Sequence, residues 1–224
     1  MNFDILKSKI KMAWTCHGQS NKDMVKKLKD NRLIKNSLAI SVMEEVDRKE
    51  FVLEESMAYV DSPLSIGYDV TISAPHMHAM MLDLIAPYAG PGKVALDIGS
   101  GSGYIVACMG KMFDMVYGID HIEPLVRRSI EAVQKFLPKS KFEIVCGDGR
   151  LGYEKGAPYD VIHIGAAAKI SDVMTVLKQL KKTGMLIAPV DEGANQALVK
   201  FTYNEEGKLN SEFICGVIFV PLTD

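Results

Sequence analysis

The sequence predicts an α/β fold: a central, mostly parallel sheet of seven strands, an antiparallel C-terminal hairpin closing it, and a helical portion ahead of it. Three observations carry that expectation. From residue 94 onward, short apolar runs rich in Val and Ile alternate with helix-period patterns, as parallel strands joined by crossover helices do. The glycine run Gly99-Ser100-Gly101-Ser102-Gly103 stands where the first strand passes into its helix. The last two apolar runs are joined by a polar turn, Asn204-Glu205-Glu206-Gly207-Lys208, which folds them back on each other.

Taken in order, residues 1–11 (MNFDILKSKIK) carry Asp4, Lys7, Lys9 and Lys11, which interrupt any apolar run. They read as an N-terminal extension without a signal-peptide core. Residues 12–90 read as a mainly helical portion. Ser20 precedes Met24, Val25 and Leu28, with Asp23 at the third helical position, a capping box with Asp in place of Glu. Leu38, Val42, Met43 and Val46 mark a second helix. Residues 59–67, with Pro63, Gly67 and two serines, read as an irregular loop on the substrate side. Residues 91–224 supply the sheet, with strands expected at 94–98, 115–119, 142–145, 159–164 and 185–190 and helices at 104–112, 124–136 and 172–180. Strands at 197–203 and 213–220 form the closing hairpin. All of 1–224 reads as one domain, since a chain of this length with 48% hydrophobic content buries a full core.

Charge bounds the partners. Lys+Arg (26) and Asp+Glu (28) nearly balance, so nothing draws the chain to nucleic acid or to an anionic membrane. Cys16, Cys108, Cys146 and Cys215 form no C-x-x-C pair, which argues against a zinc knuckle and for a reducing compartment. No stretch approaches the ~20 apolar residues that span a bilayer. The expectation is a cytoplasmic monomer without a metal.

The strand-to-helix glycines let the backbone turn tightly and let a ligand lie against the main chain. Asp97, just ahead of them, would repel a pyrophosphate but suits a ligand carrying an ammonium and a sulfonium. That points to S-adenosylmethionine, released as S-adenosylhomocysteine, and makes 91–224 the cofactor-binding sheet. Asp120, at the end of the second strand, can accept both ribose hydroxyls, or can serve the start of the next helix. Asp148 in Cys146-Gly147-Asp148-Gly149 can accept the adenine amine, or can simply form a turn. Asp97, Gly99, Ser100, Gly101, Ser102, Gly103, Asp120, Asp148 and Gly149 then share one crevice at the carboxyl edge of an open sheet. A parallel sheet with an antiparallel final pair fits the Rossmann-like class I S-adenosylmethionine-dependent methyltransferases better than the plain dinucleotide fold.

Over nearly the whole chain, from Met12 to Asp224, these residues resemble the protein-L-isoaspartate O-methyltransferase family. The resemblance rests on Asp61-Ser62-Pro63-Leu64-Ser65-Ile66-Gly67, on the glycine loop, and on Gly118-Ile119-Asp120-His121, Gly147-Asp148-Gly149-Arg150 and Gly165-Ala166-Ala167-Ala168. Thr71-Ile72-Ser73-Ala74-Pro75-His76-Met77-His78 is its most specific segment. It implies methylation of the free α-carboxyl of L-isoaspartyl residues in damaged proteins and peptides. The ester then collapses to a succinimide, and part of that hydrolyses to normal aspartyl. Ser73 is implied as the active-site residue, and cofactor contacts are implied at Val70, Thr71, Ile72, Ser73, His78, Ser102, Asp120, His121, Asp148, Gly149 and Thr223. The chain stops at Asp224, where eukaryotic relatives run on, so a contact from such a tail is expected to be missing and cofactor affinity to be affected.

Alternative roles bound these assignments. Ser73 can also be the N-cap of a helix at 75–85. His76 and His78, two apart on a helix, face apart and cannot share a metal. His163, inside Val161-Ile162-His163-Ile164, reads as a core histidine with a partner. A base-modifying enzyme would need an aromatic platform after the fourth strand, where this chain has Gly165-Ala166-Ala167-Ala168. A small-carboxylate methyltransferase, a nicotinamide-dependent oxidoreductase and a non-catalytic cofactor-binding module remain the other readings.

Overall fold

The computed structural model describes residues 15–193 and 195–224. The expected extension at 1–11 lies outside the described residues. The chain divides into two units between Pro87 and Tyr88.

In the first unit, helix α1 (Asn21–Asp30) starts as its sequence predicts: the Ser20 hydroxyl accepts from the Asp23 N–H at 3.2 Å. The return bond reaches one residue further back, the Asp23 carboxylate accepting from Gln19 N–H at 3.0 Å. Met24, Val25 and Leu28 are buried. Helix α2 (Ser37–Glu45) is capped by Asn36 and buries Ala39, Val42 and Met43, with Val46 beyond its end. Leu38 is 39% exposed, so the apolar stripe runs through Ala39 instead, at the i, i+3, i+4, i+7 spacing.

The expected loop at 59–67 ends in structure. Strand β1 (Leu64–Gly67) pairs antiparallel with β2 (Val70–Ile72) across Tyr68 and Asp69, both left-handed at φ 56° and 57°. Two positive φ values make the turn that suits a hairpin's twist. Tyr and Asp are not its usual residues, which is why the pattern hid it. Helix α3 (Pro75–Ile85) follows, with proline in its first turn where a missing N–H costs nothing.

The second unit holds the sheet. Its strands are β3 (Gly90–Ile98), β4 (Phe113–Asp120), β5 (Phe142–Cys146), β6 (Tyr159–Ile164), the two-residue β7 (Ala168–Lys169), β8 (Leu180–Asp191), β9 (Gln196–Tyr203) and β10 (Leu209–Val217). Helices α4 (Tyr104–Gly110), α5 (Glu123–Val133) and α6 (Ile170–Val176) cross between strands. The order β10-β9-β8-β6-β3-β4-β5 gives the seven expected strands, and β7 adds a short pairing to β8. Pairs among β3, β4, β5, β6 and β8 are parallel, and those among β8, β9 and β10 antiparallel. All six residues of β6 are buried, as a central parallel strand requires. Leu96, Ile98, Ile162, Ile164, Leu186 and Ala188 form the core with Val173 and Val176 of α6.

Several boundaries move. The helix expected at 172–180 closes as a 3-10 turn at Leu177–Gln179, and β8 begins at Leu180, five residues before its apolar run. The last strand is Leu209–Val217 rather than 213–220, because an edge strand with polar residues on it shows little apolar pattern.

Candidate active site

Topology fixes the place. The chain runs from β3 outward to β4 and β5, then returns to lay β6 on the other side of β3, so the order reverses between β3 and β6. Crossover helices leave the two strands in opposite directions there, and the crevice beyond their carboxyl ends is where an open sheet takes its ligand.

The glycine loop lines that crevice. Gly99 and Ser100 N–H groups both donate to Ile119 O, at 2.8 and 3.1 Å, tying the loop to β4. Gly103 opens α4 at φ 85°, and a Cβ there would lie 2.8 Å from Val133 Cγ2 of α5, so no side chain fits. Ser102 is buried. Ser100 Oγ is also buried and has no hydrogen-bond partner among the described residues, an uncompensated polar atom that a loop built for stability alone would not keep. A second turn presses on the loop from β6: Gly165 N–H donates to Ile98 O at 2.7 Å, and a Cβ on Gly165 would meet Gly99 O at 2.9 Å.

Three acids stand at three neighbouring strand ends, each with a partner already in place. Asp97 on β3 is 1% exposed and lies 2.6 Å from Nδ1 of His163 on β6. Burial pushes its carboxyl up from the usual range, His163 opposes that, and the charge of Asp120 adds to it. Asp120 on β4 accepts the Gly101 N–H on one oxygen at 2.8 Å and the Ile122 N–H on the other at 3.0 Å. It therefore holds the glycine loop and the entry to α5 together, while each oxygen keeps a further lone pair for a ligand hydroxyl. His121 is exposed, its Nδ1 3.8 Å from Asp120. Asp148, just beyond β5, accepts from Arg150 Nε at 2.9 and 3.1 Å and from Nη2 at 2.8 Å. That hydrogen-bonded fork holds its carboxyl below the usual range against a smaller opposing effect of burial. Gly149 is buried, with no room for a Cβ beside Ile98 Cγ2 at 2.5 Å. The C-terminal segment crosses the same edge: Ala167 exchanges backbone bonds of 2.8 Å with Val220 and Leu222, leaving Thr223 exposed.

Val70, Thr71, Ile72, Ser73 and His78 belong to the first unit. Thr71 is exposed and Val70 half-buried on β2, whereas Ile72 is buried. Ser73 is half-buried and is not the cap of α3; that position is Ala74, without a side-chain bond. His76 and His78 have separate partners, as their spacing predicts. His76 Nδ1 meets Asp61 at 2.7 Å, and His78 Nδ1 accepts from Arg48 Nη1 at 3.2 Å. Among the described residues, no group of three His, Cys, Asp or Glu could hold a metal. Sequence reasoning missed Arg150 as the partner of Asp148, His163 as that of Asp97, and Arg48 as that of His78. Only Arg150, two residues from Asp148, left a local signal.

Comparison with known proteins finds relatives over nearly the whole chain. Residues 19–224 match the family described as Protein-L-isoaspartate(D-aspartate) O-methyltransferase (PCMT). The chain is 42% identical over 212 residues to Protein-L-isoaspartate O-methyltransferase 1 of Arabidopsis thaliana, covering 91% of each chain. It is 38% identical over 221 residues to Protein-L-isoaspartate O-methyltransferase of Caenorhabditis elegans, covering 95% of this chain and 96% of that one. A Plasmodium falciparum PCMT structure in complex with S-adenosyl-L-homocysteine superposes with a TM-score of 0.82 at 30% identity, covering 92% of this chain and 99% of that one. With a glycine loop and acids at a switch point, and with full-length relatives of one kind, the chain belongs to the protein-L-isoaspartate(D-aspartate) O-methyltransferase family.

Proposed function

We propose that this protein transfers a methyl group from S-adenosylmethionine to the free α-carboxyl of L-isoaspartyl residues in damaged proteins and peptides, the first step of their repair. The observation that carries the reading is the glycine loop bracketed by the carboxylates of Asp97 and Asp120. Such a donor set fits a ligand with an ammonium, a sulfonium and ribose hydroxyls. When bound, S-adenosylmethionine supplies an electrophilic methyl group. Asp97, the loop from Gly99 to Gly103, and Asp120 would hold its amino-acid and ribose parts. Asp148, Gly149, His121 and Thr223 would border the adenine, and Val70, Thr71, Ile72, Ser73 and His78 would complete the contacts the family resemblance implies.

An isoaspartyl carboxylate is ionised at neutral pH, so the chain has no proton to remove. Its work is alignment and exclusion of water, and orientation of this kind contributes about 7–11 kcal/mol in well-aligned systems. Ser73 is the residue proposed to orient the acceptor carboxylate. Ser73 is half-buried and is not the cap of α3, which supports that role. The near balance of charge supports action on polypeptides rather than on nucleic acid, and four cysteines outside any disulfide support a cytoplasmic enzyme; a monomer is proposed with them. No helix among the described residues is long and apolar enough to cross a membrane.

The test is transfer of a radiolabelled methyl group to matched isoaspartyl and aspartyl peptides. Labelling of the isoaspartyl peptide alone is expected; equal labelling of both, or of small free acids in preference, sinks the substrate assignment.

A further inference from the structure

We propose that His163 is a positioning residue for cofactor binding: it holds Asp97 as an oriented, ionised carboxylate for the ammonium group of the ligand. The inference rests on the reading of the ligand as S-adenosylmethionine, and its place is fixed by the sheet.

Asp97 on β3 and His163 on β6 are direct register partners across the boundary where strand order reverses. Their side chains meet at 2.6 Å, and both residues are almost wholly buried, at 1% and 2% exposure. The histidine ring also lies under the second turn of the crevice, its Cε1 3.4 Å from where a Cβ on Gly165 would stand. Thus one side chain supports both the acid ahead of the glycine loop and the turn that presses on that loop.

A carboxylate buried this deeply tends to take up a proton and become neutral. The negative Asp120, on the neighbouring strand, pushes in the same direction. A neutral acid cannot balance an ammonium. The contact with His163 is what opposes protonation, by charge and then by hydrogen bond, and it holds Oδ1 of Asp97 toward β6. Stability alone does not ask for such a pair. The rest of β6 around it is Val161, Ile162 and Ile164, and an apolar pair in such a setting is often as stable as a buried ionic one.

The experiment measures affinity of the full chain for two ligands by calorimetry: S-adenosylhomocysteine, and 5′-methylthioadenosine, which keeps the nucleoside and thioether but lacks the ammonium. His163→Leu is expected to lose about 10–100-fold in affinity for the first and to leave the second unchanged. His163→Gln, which retains a donor, is expected to restore most of the loss. Equal weakening of both ligands would make His163 a packing residue, and full affinity for both would make it a bystander; either overturns the proposal. Should His163→Leu not fold, Asp97→Asn/His163→Leu is compared with Asp97→Asn alone. Equal affinities for S-adenosylhomocysteine support action through Asp97, and a further loss overturns it. Failure of the unaltered chain to bind S-adenosylhomocysteine would instead overturn the functional reading itself.

Discussion

Ser73 stands two residues ahead of Pro75 and leaves the capping position to Ala74, which separates its chemistry from its stability. Ser73→Ala is therefore expected to leave the thermal midpoint unchanged and to lower turnover about 10²–10³-fold, far more than it lowers cofactor affinity. Single-turnover rates beside a melting curve check this; a variant of full activity removes Ser73 from the mechanism. Asp120 is the opposite case. Its two backbone bonds to Gly101 and Ile122 mean that Asp120→Ala should weaken S-adenosylhomocysteine binding by about 1.5–3 kcal/mol and lower the melting temperature as well. Unchanged calorimetric affinity would restrict the residue to holding the loop. The positions of Asp97 and Asp120 could be read from the sequence because acids at strand ends next to glycines are a local pattern. Their partners could not. His163 reaches Asp97 only because β6 lands beside β3, a pairing that no local spacing encodes.

Helix α3 shows how an element is fixed by a residue outside it. The buried Asp61 accepts from the backbone N–H of His76 at 3.0 Å and from Cys16 N–H at 3.3 Å, and pairs with the His76 ring at 2.7 Å. Burial alone would raise its carboxyl, but these bonds outweigh burial and bring it below the usual value of 3.8. The stability it contributes is therefore fully present above pH 3.8 and is lost as the pH falls below that through the depressed folded value. Acid unfolding followed by circular dichroism should show Asp61→Asn less stable at neutral pH and less sensitive to acid than the natural chain. In the second unit, Gly103→Ala combines a left-handed φ with a Cβ 2.8 Å from Val133, and should cost about 1–3 kcal/mol of stability in chemical denaturation. A neutral result there would show α5 free to shift. Parallel strands could be read in the sequence because burial on both faces makes continuous apolar runs. The β1–β2 hairpin and the polar first half of β10 could not, since backbone pairing rather than side-chain pattern makes them strands.

At the scale of the molecule, a ligand that binds only the folded chain must raise its melting temperature. S-adenosylhomocysteine at about 100 times its dissociation constant should add about 2.7 kcal/mol, or about 5–11 °C for a chain of this size, and a nicotinamide dinucleotide should add nothing. The reverse result in a melting experiment would favour an oxidoreductase. The placing of β6 against β3 also has a consequence in time. Asp97 and His163 are 66 residues apart, and at about 5–20 residues per second a ribosome makes His163 about 3–13 s after Asp97. Once β4 is made and until β6 follows, β3 is paired on one side only, and Ala95-Leu96-Asp97-Ile98 lack their β6 partners on the other, the Asp97 carboxylate without His163. An arrested nascent chain that stops before β6 should therefore present a sticky strand edge to chaperones and take up no cofactor. Competence arrives late in synthesis, when the second half of the sheet closes on the first.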